Sequence, residues 1–262
     1  MSVHLDALAD EVFDAASACG RGDGVSTRLP FGEVRRNLAY PDLFFLNGIS
    51  GLRAPDWSLR DVEQAVAEHL PGIGLVRITS RDPDTIARLG PQFDEAGYQA
   101  ECRVAMVQVA PPQDAGRRAV EISLVETATD WQDFELSISN DTSEHHWTGA
   151  MTRQLVDLYR TQGTNPSQSW LLARDEGEPL GHVGLYQHAT VGYLHALFTR
   201  ETARRRGVGA ALVEETERRA RAIGCERLTL QCTRDSFLPA YYRAFGFRTV
   251  GEMWIWMKRI EP

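Results

Sequence analysis

The stretch from Leu194 to Ile223 constrains this chain more than any other. An apolar run, Leu194-His-Ala-Leu-Phe-Thr199, leads through Arg204-Arg-Arg-Gly207-Val-Gly209-Ala210 into a long segment of helical period that stops at Gly224. Strand, glycine-bearing loop and helix in that order set a strand end beside a helix N-terminus, where four backbone N–H groups have no intrahelical partner. Gly207 and Gly209 remove side chains, so those groups can close around an anion, and the helix dipole favours negative charge there. Arg204, Arg205 and Arg206 add positive charge and forked donors suited to a pyrophosphate. The competing reading is an arginine-rich helix start on a solvated face.

The remaining pattern divides in two. Val109-Ala-Pro-Pro-Gln-Asp-Ala-Gly116 reads as a linker, which predicts a front domain over 1–110 and a rear domain over 117–262. In front, periodicity predicts a helix over Val3–Ala18, a glycine-bearing turn over Cys19–Ser26, and a helix behind the Ser58-x-x-Asp61 cap. A strand at Leu75–Thr79, a helix at Pro83–Ala96 and a strand at Glu101–Val109 follow. Behind the linker come a strand at Val120–Val125, a helix at Trp147–Tyr159, and a hairpin of Trp170–Ala173 with Gly181–Gln187. Tyr193–Thr199, Leu228–Cys232 and Arg248–Lys258 read as strands, with helices at Arg206–Ile223 and Phe237–Phe245. The unit strand, helix, Gly97-Tyr98, strand echoes strand, helix, Gly246-Phe247, strand. Aligning Gly97 with Gly246 sets Phe93 opposite Tyr242, so the front domain reads as a degenerate copy of the rear one.

Composition excludes several function classes. With 262 residues, 43% of them hydrophobic, the chain can bury two cores, and a net charge of -8 disfavours a nucleic-acid partner. No apolar run approaches the ~20 residues of a membrane span, and no signal peptide is legible, which points to a cytoplasmic protein. Cys19, Cys102, Cys225 and Cys232 form no CxxC pair and read as reduced, buried thiols. His145-His146, His182 and His188 lack metal spacing, and no HExxH occurs, so no metal is expected. Trp254-Ile-Trp256 reads as core or interface.

The strand Leu194–Thr199, the Arg204-x-x-Gly207-x-Gly209 loop and Tyr241-Tyr-Arg-Ala-Phe-Gly-Phe247, in that order and spacing, resemble the GNAT superfamily of N-acetyltransferases. The resemblance covers roughly Val120 to Arg259. It implies an α+β fold with a mixed, mostly antiparallel sheet flanked by helices, preceded by a smaller α/β domain. It also implies acetyl-CoA as co-substrate. Leu197, Phe198 and Thr199 would hold the acetyl carbonyl and pantetheine arm, and Arg204, Arg205, Arg206, Gly207, Val208, Gly209 and Ala210 the pyrophosphate. Tyr242, four residues before Gly246, takes the place of the family's general acid, which would protonate the departing thiolate; a plain core tyrosine is the alternative. Tyr241 reads as its structural neighbour.

Two positions depart from the family. Where many members carry a glutamate, this chain has Tyr193. His195, two residues on and so on the same face, is the candidate base, beside the reading of a satisfied packed histidine. Where members often carry an asparagine, Asp235 or Ser236 must contact the coenzyme. The expected partner is a small-molecule or peptide amine, with no nucleic acid and no membrane, and the expected assembly a monomer or homodimer. A non-catalytic acetyl-CoA sensor is the other function the sequence allows.

Overall fold

A computed structural model describes residues 2–20, 24–110 and 120–260 of the chain. The predicted linker therefore lies mostly outside the described residues, as does Gly22 of the glycine-bearing turn. The chain runs α1 (Ser2–Cys19), β1 (Val25–Leu29), β2 (Gly32–Arg36), β3 (Gly48–Ser50), α2 (Leu59–His69), β4 (Leu75–Ser80), α3 (Pro83–Glu95) and β5 (Gln99–Gln108). It continues through β6 (Glu121–Leu124), α4 (Ala128–Glu144), α5 (Gly149–Gly163), β7 (Gln168–Asp175), β8 (Glu178–His188), β9 (Val191–Thr199), α6 (Val208–Ala222), β10 (Arg227–Thr233), α7 (Leu238–Arg243) and β11 (Phe247–Arg259). Helices flank a mixed sheet in which β1 and β2, β2 and β3, β4 and β11, β6 and β7, β7 and β8, and β8 and β9 pair antiparallel, while β3 with β4 and β9 with β10 pair parallel. The mostly antiparallel α+β fold expected from the sequence is what forms.

Two compact units divide the chain, though not at residue 110. One comprises Met1–Cys19, Ala105–Gln231 and Phe237–Val250; the other Gly20–Val104, Cys232–Ser236 and Gly251–Pro262. These units depart from the boundaries 1–110 and 117–262 at four places, the first being that β5 from Ala105 onward belongs with the rear residues. Helix α1 packs on β8 and β9 and so belongs with the rear residues. The end of β11 pairs antiparallel with β4, from Trp254↔Ser80 to Arg259↔Leu75, and so belongs with the front ones. Residues 232–236 join the front unit as well. Long-range strand pairing is invisible to a reading that looks for breaks along the chain.

In the unit built around β1–β4, the core gathers Val34, Ile49, Val62, Val66, Ile78, Leu89, Phe93 and Trp256. Asp61 accepts from the Ser58 amide at 2.8 Å and caps α2 as its sequence predicts. Phe93 is fully buried, its ring 4.9 Å from both Tyr98 and Trp256. Strands β1, β2 and β3 are absent from the sequence reading. β1 is almost wholly exposed and β3 has three residues, so neither shows a period-2 apolar pattern.

In the other unit, β6, β7, β8, β9 and β10 lie in that order, β6 to β9 antiparallel. Phe134 of α4 packs on Trp170 and on His182, with ring centroids 5.0 and 5.2 Å apart. Helix α4 also escapes the sequence reading, because Ser137 and Thr142 share its buried face with Phe134 and Ile138 and blur the apolar stripe. Gly246 has φ +80°, and a Cβ there would meet the Ala110 carbonyl oxygen at 2.0 Å, so only glycine fits this entry to β11. Gly97 is left-handed too, at φ +77°, at the matching point of the expected repeat.

Candidate active site

Two irregularities open the end of β9. Along the β8–β9 ladder His182 pairs with Phe198 and Gly184 with His195, so Ala196 and Leu197 together face Val183 alone. That is a β-bulge, and Ala196 sits in it at φ 49°. The parallel ladder of β9 with β10 runs from Val191↔Arg227 to Leu194↔Leu230 and ends there, while β9 continues to Thr199. Beyond Leu194, that ladder leaves the strand's β10-facing backbone groups untaken.

Helix α6 starts beside this opening. Gly207 is its N-cap, left-handed at φ 84°, with no side-chain cap, and its carbonyl accepts from Ala211 at 3.0 Å. The amides of Val208, Gly209 and Ala210 precede that first helical bond and are the helix's orphan donors. Arg205 is left-handed as well, at φ 59°, so two such residues flank Arg206 and fold the loop into a concave turn of the kind that receives anions. At Gly209 a Cβ would lie 2.8 Å from the Tyr241 hydroxyl and 3.2 Å from Thr199 Oγ1. The end of β9, the first turn of α6 and helix α7 therefore converge on one point. This corrects the sequence reading of Tyr241 as a structural neighbour: its hydroxyl faces the anion loop, and burial pushes its pKa up to about 12.

The three arginines divide their work. Arg204 pairs with Glu144 of α4, and its Nε donates to the Thr199 carbonyl at 3.1 Å. Arg206 pairs with Asp175 at 2.9 Å. Both pairs hold the loop in place, and Glu144 adds a bond by accepting from the Glu201 amide at 3.1 Å. Arg205 is exposed and has no side-chain partner among the described residues, so its guanidinium is the one left to meet an anion.

Tyr242 is buried at 5% exposure, its ring edge-on to Tyr241 and to Phe247 at 5.2 and 5.8 Å. His195 lies against Trp170, ring centroids 5.0 Å apart, with Nε2 3.2 Å from Gln168 Oε1. Burial lowers its pKa to about 3, so the imidazole stays neutral and does not titrate near pH 7 as its residue type alone suggests. Asp235 pairs with Arg234 at 3.1 Å, and Ser236 Oγ donates to the Thr233 carbonyl at 2.7 Å; both belong to the front unit. Among the described residues no group of three or more His, Cys, Asp or Glu is arranged to hold a metal. No described helix is long and apolar enough to cross a membrane, and the four cysteines are buried and in no disulfide.

The model of the acetyltransferase (GNAT) family matches residues 126–247, the span that holds β9, α6 and α7. The chain carries a GNAT domain. Its fold is shared with a GCN5-related N-acetyltransferase from Kribbella flavida, at TM-score 0.57 and 15% identity, over 97% of this chain and 96% of that one. A conserved protein of unknown function from Staphylococcus epidermidis gives 0.72 and 14%, over 91% and 95%. A GCN5-related N-acetyltransferase from Sphaerobacter thermophilus gives 0.56 and 16%, over 78% and 66%. At such identities the likeness is one of fold. No curated protein matches the chain.

Within the GNAT domain, sequence reasoning misses two acids on α4. Besides Glu144, Asp141 is held up at about pKa 6, chiefly by burial, against the pull of His145. Its Oδ1 lies 2.9 Å from His145 Nδ1 and its Oδ2 3.8 Å from Nε2 of the buried His182. His182 in turn bonds Ser137 Oγ through Nδ1 at 2.8 Å and packs on Phe198, centroids 5.5 Å apart. No motif marks these acids, because their helix is itself hidden in the sequence.

Proposed function

We propose that the protein is an acetyl-CoA-dependent N-acetyltransferase that moves the acetyl group to a primary amine of a small molecule or peptide by direct attack in a ternary complex. The observation that carries this reading is the convergence of Gly209, Thr199 and Tyr241 at an uncapped helix N-terminus beside a bulged, splayed strand. A thioester co-substrate brings an activated acetyl group and a thiolate leaving group. The amides of Val208, Gly209 and Ala210, with Arg205, suit its pyrophosphate. Backbone groups of Leu197, Phe198 and Thr199 along the unladdered end of β9 suit its amide-rich arm. Tyr241 lines that arm near the anion loop.

Tyr242 is assigned the acid that protonates the leaving thiolate, on the strength of its place before Gly246. For the base, Asp141 replaces His195. A carboxylate with pKa about 6 accepts a proton near neutral pH, whereas an imidazole held to about 3 does so poorly. Asp235 pairs with Arg234 and Ser236 Oγ donates to the Thr233 carbonyl, and neither is assigned a coenzyme contact.

Incubation of the full chain with acetyl-CoA and a panel of polyamines, amino acids, aminoglycosides and peptide N-termini, with free thiol followed over time, tests the reading. Amine-dependent thiol release supports it. Tight CoA binding with no turnover on any amine would replace it by the sensor reading.

A further inference from the structure

A second site lies wholly within the unit of residues 20–104. The β1–β2 register sets Val25 opposite Arg36 and Thr27 opposite Val34, so strand alternation turns all four to one face of the hairpin. That face borders a cavity of about 510 Å³, within the range of small-molecule pockets.

The polar end of the cavity is built from Arg36 and Asn37. Asn37 is 4% exposed. Its Oδ1 accepts from the amides of Ala39 and Tyr40 at 3.1 and 3.3 Å, and its own amide donates to Asn47 Oδ1 at 2.7 Å. These bonds fix the carboxamide, yet its Nδ2 is buried with no hydrogen-bond partner among the described residues. Arg36 is anchored in the same way. One terminal nitrogen donates to the Pro71 carbonyl at 2.8 Å, while its buried Nε has no hydrogen-bond partner among the described residues. Two neighbouring donors, one of them cationic, are thus removed from water without compensation, which ordinary folded proteins avoid. Gly24 also borders the cavity, and a Cβ there would stand 3.3 Å from Asn37 Nδ2; glycine keeps the amide clear.

Among the described residues no aspartate or glutamate lines this cavity. Val34 is buried in its wall, whereas Val25 and Leu38 line it while remaining 69% and 60% exposed, apolar surface that a bound chain would cover.

We propose that this cavity binds a small monocarboxylate with a short apolar tail, its carboxylate received by Asn37 Nδ2 and Arg36 Nε and its tail lying on Val25, Val34 and Leu38. The site is independent of the acetyl-transfer reading, since none of its residues belongs to the GNAT domain.

Calorimetry on the full chain with hexanoate and with its neutral isostere hexanamide tests the proposal. Hexanoate should bind one per chain, and hexanamide at least about tenfold more weakly, because charge-assisted bonds to the carboxylate are lost. Asn37→Asp keeps an acceptor for Ala39 and Tyr40 but replaces the donor with a carboxylate oxygen. It should weaken hexanoate by at least about tenfold and leave CoA affinity unchanged, and Arg36→Gln should do the same. Should Asn37→Asp fail to fold, the side-chain amide proton resonances of Asn37 in the wild type should shift on hexanoate addition, with a midpoint at least about tenfold lower in concentration than for hexanamide. No hexanoate binding at about 10 mM, roughly ten times a millimolar Kd, equal binding of acid and amide, or undiminished binding in both variants would each overturn the proposal.

Discussion

Gly209 offers the sharpest test of how the site is assembled. A methyl group at this position would approach the Tyr241 hydroxyl to 2.8 Å, closer than real Cβ contacts come, and Thr199 Oγ1 to 3.2 Å; the next atom, Tyr241 Cζ, is at an ordinary 3.8 Å. Gly209→Ala should therefore cost about 1–3 kcal/mol of overpacking. Against this, alanine gains up to about 1 kcal/mol over glycine in a helix, less so close to the N-terminus. The net expectation is a loss of about 0–3 kcal/mol. Removing the hydroxyl changes the balance: in a Tyr241→Phe background the severe contact is gone, and Gly209→Ala should be neutral or stabilising. The double-mutant cycle should then show a coupling of about 1–3 kcal/mol between the two positions. Urea denaturation of the four proteins, read as free energies from midpoints at constant slope, measures it. If Gly209→Ala costs the same in both backgrounds, the Tyr241 hydroxyl does not stand over the first turn of α6, and the convergence on which the site rests is wrong.

Tyr242→Phe should keep CoA binding while lowering kcat and kcat/KM together by ~10²–10⁴-fold, as general-acid loss does; retention of more than about a third of wild-type kcat with chemistry rate-limiting would remove Tyr242 from the role. Arg205→Ala should weaken CoA by about tenfold without changing its stoichiometry of about one per chain, a charge-assisted bond being worth roughly 1.5–3 kcal/mol; two CoA per chain would show that the front unit also binds coenzyme. Stability should fall in acid. Burial holds His182 at about 3 against 6.5 when exposed, so below pH 6.5 the unfolded chain takes up the proton first. Between pH 7 and 5 this removes about 2 kcal/mol, and His195, held as low, removes about as much again. Asp141, raised to about 6 in the fold, returns about 1 kcal/mol by protonating first in the folded state. Urea midpoints should drop over that interval and drop less in His182→Gln; an equal drop in the variant would refute the assignment.

The sequence by itself determined the strand, anion loop and helix from Leu194 to Ile223, because glycine placement and apolar period are local signals. Gly207 as a left-handed cap, the Ser58–Asp61 cap and the left-handed Gly97 and Gly246 follow from the same local rules. Only the tertiary structure decided which side chains meet there. Tyr241 and Tyr242 are adjacent in sequence and equal in type, yet only the packing of α7 sets the Tyr241 hydroxyl over Gly209. Arg204, Arg205 and Arg206 are likewise equivalent in the sequence. Distant Glu144 and Asp175 engage two of them and leave Arg205 exposed. His195 loses its neutral-range titration because Gln168 and Trp170 reach it from β7, across Gly184 of the intervening β8, and bury it, and Asp141 gains one by burial on a helix whose stripe is too polar to read. Burial and long-range pairing are sums over residues far apart along the chain, and no window of sequence contains them.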